Sequence, residues 1–303
     1  MKVLAIYYSQ SGQLGDIISN FVSPIENADI DVVRIRPRKD FPFPWNNQNF
    51  YNEMPDCVLE IPQELETIHF KHQKYDLIIF GYQPWFLSPS IPAISLLKND
   101  AFKSLLLDTP VITVIGARNM WLNAQESVKK CIHDACGRLI GNVPLIDKTP
   151  NLISALTIVH WMKTGKKTRM FGFFPLPGIS DADIKGVSRF GTILNDKIRS
   201  NQLALFQDSV LNTGEININS NILFIEKRAK RLFILWANLI NKKVQNNGNK
   251  TFWTQFFRYY LLVALFVVSP ILLTVYNLLI KPFSSATLKK EKAYFYHTEL
   301  RKK

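Results

Sequence analysis

The stretch YYSQSGQLGDI, Tyr7–Ile17, decides how this chain is to be read. It continues the apolar opening MKVLAI, which has the short aliphatic character of a buried strand over Lys2–Tyr8. Two hydroxyls and a glycine then crowd into Ser9-Gln10-Ser11-Gly12, and helical spacing begins at Asp16 and runs to Val22. A strand ending in small polar residues at a helix N-terminus makes an anion cradle, because backbone N–H groups and the helix dipole both favour negative charge there. Gly12 lets the backbone come close to the anion. No Lys follows, and the spacing is neither that of a nucleotide-triphosphate loop nor GxGxxG. A monophosphate cofactor fits this loop better than ATP or NAD.

Ile30–Ile35, Tyr75–Gly81 and Pro110–Gly116 read as further strands, and Arg138–Ile146 contains a fifth. Helical patterns lie between them at Ala93–Leu107 and Leu122–Cys136. Short apolar strands alternating with helices imply a parallel sheet covered on both faces. The fold class expected is α/β, a doubly wound five-stranded parallel sheet. Ligands of such sheets bind outside the carboxyl ends of the strands. Three of those ends carry unusual residues: Ser9–Leu14, Tyr82–Pro92 (YQPWFLSPSIP) and Gly116–Trp121 (GARNMW).

The chain has 303 residues and a net charge of +13, unevenly placed. From Asn221 onward stand 15 Lys/Arg against 3 Asp/Glu, which leaves the first 220 residues close to neutral. The basicity therefore belongs to a C-terminal appendage. Three cysteines, Cys57, Cys131 and Cys136, form no even disulfide set and read as structural thiols in a reducing compartment, with no metal site. No charged leader precedes a long apolar stretch at the start, so no signal peptide is expected and the domain is placed in the cytoplasm.

Glu226–Val244 (EKRAKRLFILWANLINKKV) flanks an aromatic and aliphatic body with basic residues. Arg231, Lys242 and Lys243 would sit at headgroup level on a helix lying in the interface, with anionic lipid as partner. No nucleic-acid-binding signature is present, so nucleic acid is excluded as the partner. Tyr259–Ile280 is 22 residues without a charge, long enough to cross a bilayer core of about 20 such residues. Pro270 lies at its middle and removes a backbone donor. Two topologies follow: a single span, which is favoured, or a kinked segment that enters and returns. Either puts the protein on the cytoplasmic face of the inner membrane.

The order strand, S-x-S-G-x-x, helix resembles the FMN-phosphate loop of flavodoxin-like proteins, with Leu14 where a Thr often stands. The resemblance implies that Ser9, Ser11, Gly12, Gln13 and Leu14 hold the FMN phosphate. The segment QPWFLSPSIPA resembles the flavin-ring loop of flavodoxin-like quinone reductases. It implies ring contacts from Pro84, Trp85, Phe86 and Leu87, with Gly116, Ala117, Arg118 and Asn119 at the pyrimidine edge.

A longer set of matches, YYSQSGQL, DFPFPW, GYQPWFLSPSIPA, GARNMWLNAQE and FIEKRAKRLFILWANLI, resembles the bacterial family labelled dialkylresorcinol condensing enzyme, found with flexirubin-type pigment biosynthesis. A condensing enzyme needs a Cys activated by His, which Cys57 in its polar, Pro-rich segment does not offer. The flavin loops instead imply the oxidative step, in which a dialkylcyclohexane-1,3-dione becomes a dialkylresorcinol. Arg118 is the expected enolate stabiliser, with Tyr82 and His160 as further catalytic candidates. The rival readings are a membrane-tethered electron carrier or quinone reductase, and the condensing enzyme of the label. Residues 1–200 form the expected FMN domain, with insertions at 40–63 and 151–180. The second insertion either packs on its own domain, or docks on a membrane or lids a lipid substrate. Residues 201–250 connect, and 251–303 form the anchor and basic tail; a homodimer is compatible with all of this.

Overall fold

Every apolar run expected to be a strand is one. The computed structural model describes residues 1–301; Lys302 and Lys303, the end of the expected basic tail, lie outside the described residues. The strands of the main sheet are β1 (Lys2–Tyr7), β2 (Asp29–Arg34), β3 (Leu77–Tyr82), β6 (Pro110–Ala117) and β7 (Arg138–Ile146). A small hairpin, β4 (Pro84–Trp85) and β5 (Ser88–Pro89), stands outside it. The sheet order is β2-β1-β3-β6-β7, parallel throughout. Counted over its five strands this is the 2-1-3-4-5 order of the flavodoxin-like fold. The order reverses between β1 and β3, so a crevice opens at their carboxyl ends. β3, LIIFGY, is buried at every position, as the middle strand of a sheet covered on both faces must be.

One face is covered by α1 (Gln13–Val22), α8 (Asp181–Gly186) and α9 (Ser188–Arg199). Gly191 lets α9 press on α1, since a Cβ there would stand 2.0 Å from the Phe21 carbonyl oxygen. Ser180 caps α8 by accepting from the Asp183 N–H. The core of this face continues past residue 200, because α10 (Phe206–Leu211) buries Phe206 and Val210 in it. The other face carries α4 (Ile91–Leu97), α5 (Asp100–Leu106) and α6 (Leu122–Asp134). The single helix expected over Ala93–Leu107 is two helices. Asn99 accepts from the Phe102 N–H and so starts a new one.

The two insertions supply α2 (Asn47–Asn52), α3 (Met54–Val58) and α7 (Asn151–Thr164). They are tied to each other: the Trp45 N–H donates to the Met162 carbonyl at 2.7 Å, and the Phe43 and Trp161 rings meet edge to face at 5.9 Å.

The C-terminal appendage lies on the domain. α11 (Ser220–Gln245) packs against α3 and α6, burying Leu223, Glu226, Phe233, Ala237 and Ile240. A long helix, Lys250–Phe283, runs back along α11. A tail helix, Ser285–Tyr296, then returns to the domain and buries Phe295 in the core. The Lys129 ammonium donates to the His297 carbonyl at 2.8 Å, and the Gln207 amide to the Tyr296 carbonyl at 2.6 Å.

Candidate functional site

At the carboxyl ends of β1, β3 and β6 lies a cleft of about 250 Å³. Ser11, Gln13 and Leu14 line it from the α1 side, and Pro84, Trp85 and Phe86 from the hairpin. Gly116, Ala117 and Arg118 complete it from the end of β6. Nine of the thirteen cofactor-binding candidates read from the three strand ends therefore face one space.

The α1 end of the cleft is rich in donors. Gly12 sits at φ 90, a conformation that favours glycine, with nothing within 4 Å of where a Cβ would be. The N–H groups of Ser11, Gly12 and Gln13 have no acceptor among the described residues. Ser11 lines the cleft. Ser9 is placed differently: it is 2 % exposed, and its hydroxyl accepts from the Leu14 N–H at 3.2 Å. It secures the loop to α1 from beneath. The Gln13 amide reaches across, donating to the Ile179 carbonyl at 3.1 Å and accepting from the Ile179 N–H at 3.3 Å. It thereby stitches the end of the second insertion to the cradle.

The opposite wall is aromatic. Phe86 and Leu87 are the central pair of the β4–β5 turn, with φ of 47 and 61. Such a primed turn usually takes Asn-Gly, and a non-glycine residue at positive φ costs on the order of 1 kcal/mol. Surrounding contacts hold it. The buried Cys57 thiol donates to the Trp85 and Pro89 carbonyls at 3.2 and 3.4 Å, and the Lys230 ammonium to the Leu87 carbonyl at 3.3 Å and the Ser88 hydroxyl. The Trp85 ring is boxed by Tyr8, Phe41 and Trp45 at 5.9, 5.1 and 5.7 Å. Phe86 packs on Phe50 at 4.6 Å. Leu87 turns away into the apolar cluster with Phe233 and Phe257.

Arg118 is fixed by Asn151, donating to its carbonyl at 2.9 Å and to its side-chain oxygen at 2.8 Å. Burial pulls the guanidinium down to about 10 while Asp147 and Glu226 oppose the shift, so it stays cationic at neutral pH. Asn119 bonds the same Asn151 oxygen at 2.8 Å and lines an adjoining polar hollow, not the cleft.

One catalytic candidate is corrected. Tyr82 is fully buried, donating to Gln125 Oε1 at 2.7 Å beneath α6, and burial pushes its phenol well up. Successive strand residues face opposite sides. Gly81 meets Ile18 of α1, so Tyr82 must point to the other layer. His160 sits on α7 between Ile158 and Trp161, which line the cleft.

The strand ends do not reveal the rest of the lining. Phe43 and Phe50 come from the first insertion, and Ile158, Trp161, Met162, Gly178 and Ile179 from the second. The second insertion is thus a wall of the cleft. Glu226 also escapes sequence reading, although it is the one acid in an otherwise basic stretch. It is fully buried, accepting from the Asn123 N–H at 2.8 Å, where it caps α6 from another helix.

Burial pushes the Glu226 carboxyl up to about 8, and hydrogen bonds from the Asn123 and Leu122 N–H groups only partly oppose this. An unfolded chain releases that proton near 4.5, whereas the folded chain keeps it to about 8. Between those pH values the folded state binds more protons, so stability falls as pH rises. Glu226→Gln keeps the accepting oxygen and removes the titration. It should match the wild type at pH 4.5 and exceed it by on the order of 4 kcal/mol at pH 8. Urea unfolding at both values checks this; a gap that does not change with pH would count against it.

Neither a family model nor a curated protein matches this chain. Solved structures do resemble it. A flavoprotein from Lactobacillus acidophilus, crystallised in complex with FMN, is 19 % identical with a TM-score of 0.40, over 47 % of this chain and 92 % of its own. A flavodoxin from the domain Archaea is 13 % identical with a TM-score of 0.34, over 66 % of this chain and 99 % of its own. A flavone reductase is 11 % identical with a TM-score of 0.35, over 67 % of this chain and 65 % of its own. The fold assignment rests on the strand order itself.

Proposed function

We propose that this chain is an FMN-dependent oxidoreductase that aromatises a dialkylcyclohexane-1,3-dione to a dialkylresorcinol. The observation that carries the flavin reading is one cleft at the β1/β3 switch point with free backbone donors at one end and an aromatic hairpin at the other. Ser11 and the N–H groups of Ser11, Gly12 and Gln13 would hold the phosphate, and Trp85 and Phe86 would border the ring. Bound FMN supplies a two-electron acceptor, which loss of two hydrogens from the dione requires.

The chain's own residues orient the substrate and meet its charge. Arg118, cationic and fixed by Asn151, would stabilise the enolate oxygen of the acidic dione. A substrate with alkyl chains also suits the surroundings. From Phe86 in the cleft wall, Tyr51 at 6.2 Å and then Phe257 at 6.4 Å form a continuous aromatic path to the long apolar helix.

The condensing-enzyme reading fits less well. Cys57 is fully buried, burial pushes its thiol up, and the ionisable groups it feels are Lys230, Glu60, Glu53 and Asp56, none a histidine. A thiol nucleophile needs the opposite environment. An electron carrier needs no enclosing insertions over its flavin edge, whereas here both insertions line the cleft.

The visible spectrum of purified protein titrated with FMN tests the cofactor; a spectrum indistinguishable from that of free flavin would overturn it. Arg118→Ala tests the reaction. It should retain FMN yet convert the dione about a hundredfold more slowly in anaerobic single turnover, corresponding to about 3 kcal/mol of barrier. An unchanged rate would remove Arg118 from the mechanism. Wild-type protein that binds FMN but forms no resorcinol would favour the electron carrier.

A further inference from the structure

The helix Lys250–Phe283 has 34 residues, about 51 Å at 1.5 Å per residue, and 11 % of its most apolar stretch is buried. It is held to the domain at both ends. At its start Lys250 pairs with Asp56 at 3.0 Å, and Thr254 donates to Asn52 at 2.6 Å. Near its end Tyr276 stacks on Phe224 of α11 at 3.9 Å. The chain that follows is drawn back by the Lys227–Glu291 pair at 2.7 Å and by buried Phe295.

These contacts speak against a span. A bilayer core of about 30 Å would part the two ends of the apolar run unless α11 crossed with it. Between its contacts at Phe224 and Phe233, α11 carries Lys227, Arg228, Lys230 and Arg231, which the hydrocarbon would reject. A kinked, re-entrant segment is not seen either. Pro270 is accommodated by a π-helical turn at Ala264–Val268. At about 100° per residue, the twelve steps from Phe257 to Ser269 would rotate the two about 120° apart; a π turn absorbing one residue leaves about 20°. Both are buried against the body. The opposite stripe stays more than half exposed, as at Phe256 (53 %), Val263 (55 %), Ile271 (61 %) and Leu278 (68 %).

We infer that this helix lies flat in one leaflet, with its exposed stripe among the acyl chains and both its ends on the domain's side of the membrane. The occupant of the stripe is an anionic phospholipid leaflet. Charge selects it: from Asn221 onward 15 Lys/Arg face 3 Asp/Glu, and Arg231, Lys242, Lys243 and Lys281 are exposed on this helical pair. The inference does not depend on the bound cofactor or on the reaction.

Two measurements on the full chain test it. In flotation, the protein should partition at least tenfold more strongly onto phosphatidylglycerol-containing vesicles than onto pure phosphatidylcholine. In sealed inverted membrane vesicles, an impermeant maleimide should label exposed Cys136 of the parent. It should also label the introduced thiol of Ser285→Cys in a Cys136→Ser background. Cys136→Ser alone gives the baseline from Cys131. Labelling of the Ser285→Cys variant only after detergent, with Cys136 labelled before it, means a span and overturns the inference. Failure to float overturns it too, and sedimentation as a dimer in that case would show a second copy covering the stripe.

Discussion

Truncation after Asn219 is expected to abolish cooperative folding of what remains. The charge boundary near Asn221 suggests a separable anchor, and a near-neutral soluble domain is what the sequence predicts upstream of it. The structure shows the appendage closing the core instead. Removal strips Leu223, Phe233, Ile240 and Phe295 from buried positions. At about 1.5–3 kcal/mol each, these come to roughly 6–12 kcal/mol, comparable to the whole stability of a domain at about 5–15 kcal/mol. The cut also removes Glu226 from the start of α6 and Lys230 from the hairpin, so losses concentrate around the cleft. Near-ultraviolet circular dichroism and dye binding should report a loosened core. A sharp urea transition with native-like aromatic signals would restore the idea of a detachable anchor. A milder variant, Phe233→Ala, should lose about 3–5 kcal/mol and separate packing loss from a general effect of shortening.

The strands were legible because a parallel sheet buries both faces, which turns each strand into an unbroken apolar run. β3 shows the limit of that signal. With every position buried, LIIFGY carries no contrast to say which layer each side chain enters, and so Tyr82 looks as available as Pro84. The contact of Gly81 with Ile18 and the bond from Tyr82 to Gln125 decide it. The loops at the strand ends were legible for a different reason: Gly, Ser and Pro are locally demanding residues, and their chemistry travels with their sequence position. Phe43, Phe50 and Trp161 have no such mark. They reach the cleft through long-range contacts such as Trp45 to Met162, which no local pattern encodes. The topology of the long helix fails to show for the same reason. Its apolarity is written in Tyr259–Ile280, but the contacts that tie its ends to the domain lie at Phe224 and Asp56.

Ser11→Asp is expected to collapse FMN affinity by roughly a thousandfold while leaving the domain folded. Ser11 stands at the cleft surface, and no buried partner depends on its side chain, unlike Ser9, whose hydroxyl serves the Leu14 N–H. An aspartate at that position adds a charge beside the phosphate and, being near the N-terminus of α1, is tolerated by the helix itself. Two unit charges about 4 Å apart repel by about 4 kcal/mol at the effective dielectric of a protein surface, more than the roughly 1 kcal/mol of a lost neutral hydrogen bond. Ser11→Ala should therefore weaken FMN only about fivefold, and the contrast between the two variants isolates charge from hydrogen bonding. Fluorescence titration of FMN, with thermal unfolding in parallel, reads both. The Asp variant should also lose more of its deficit at high salt than the Ala variant, because screening acts on charge. Equal affinities for wild type and Ser11→Asp would move the phosphate away from this loop and take the flavin reading of the cleft with it.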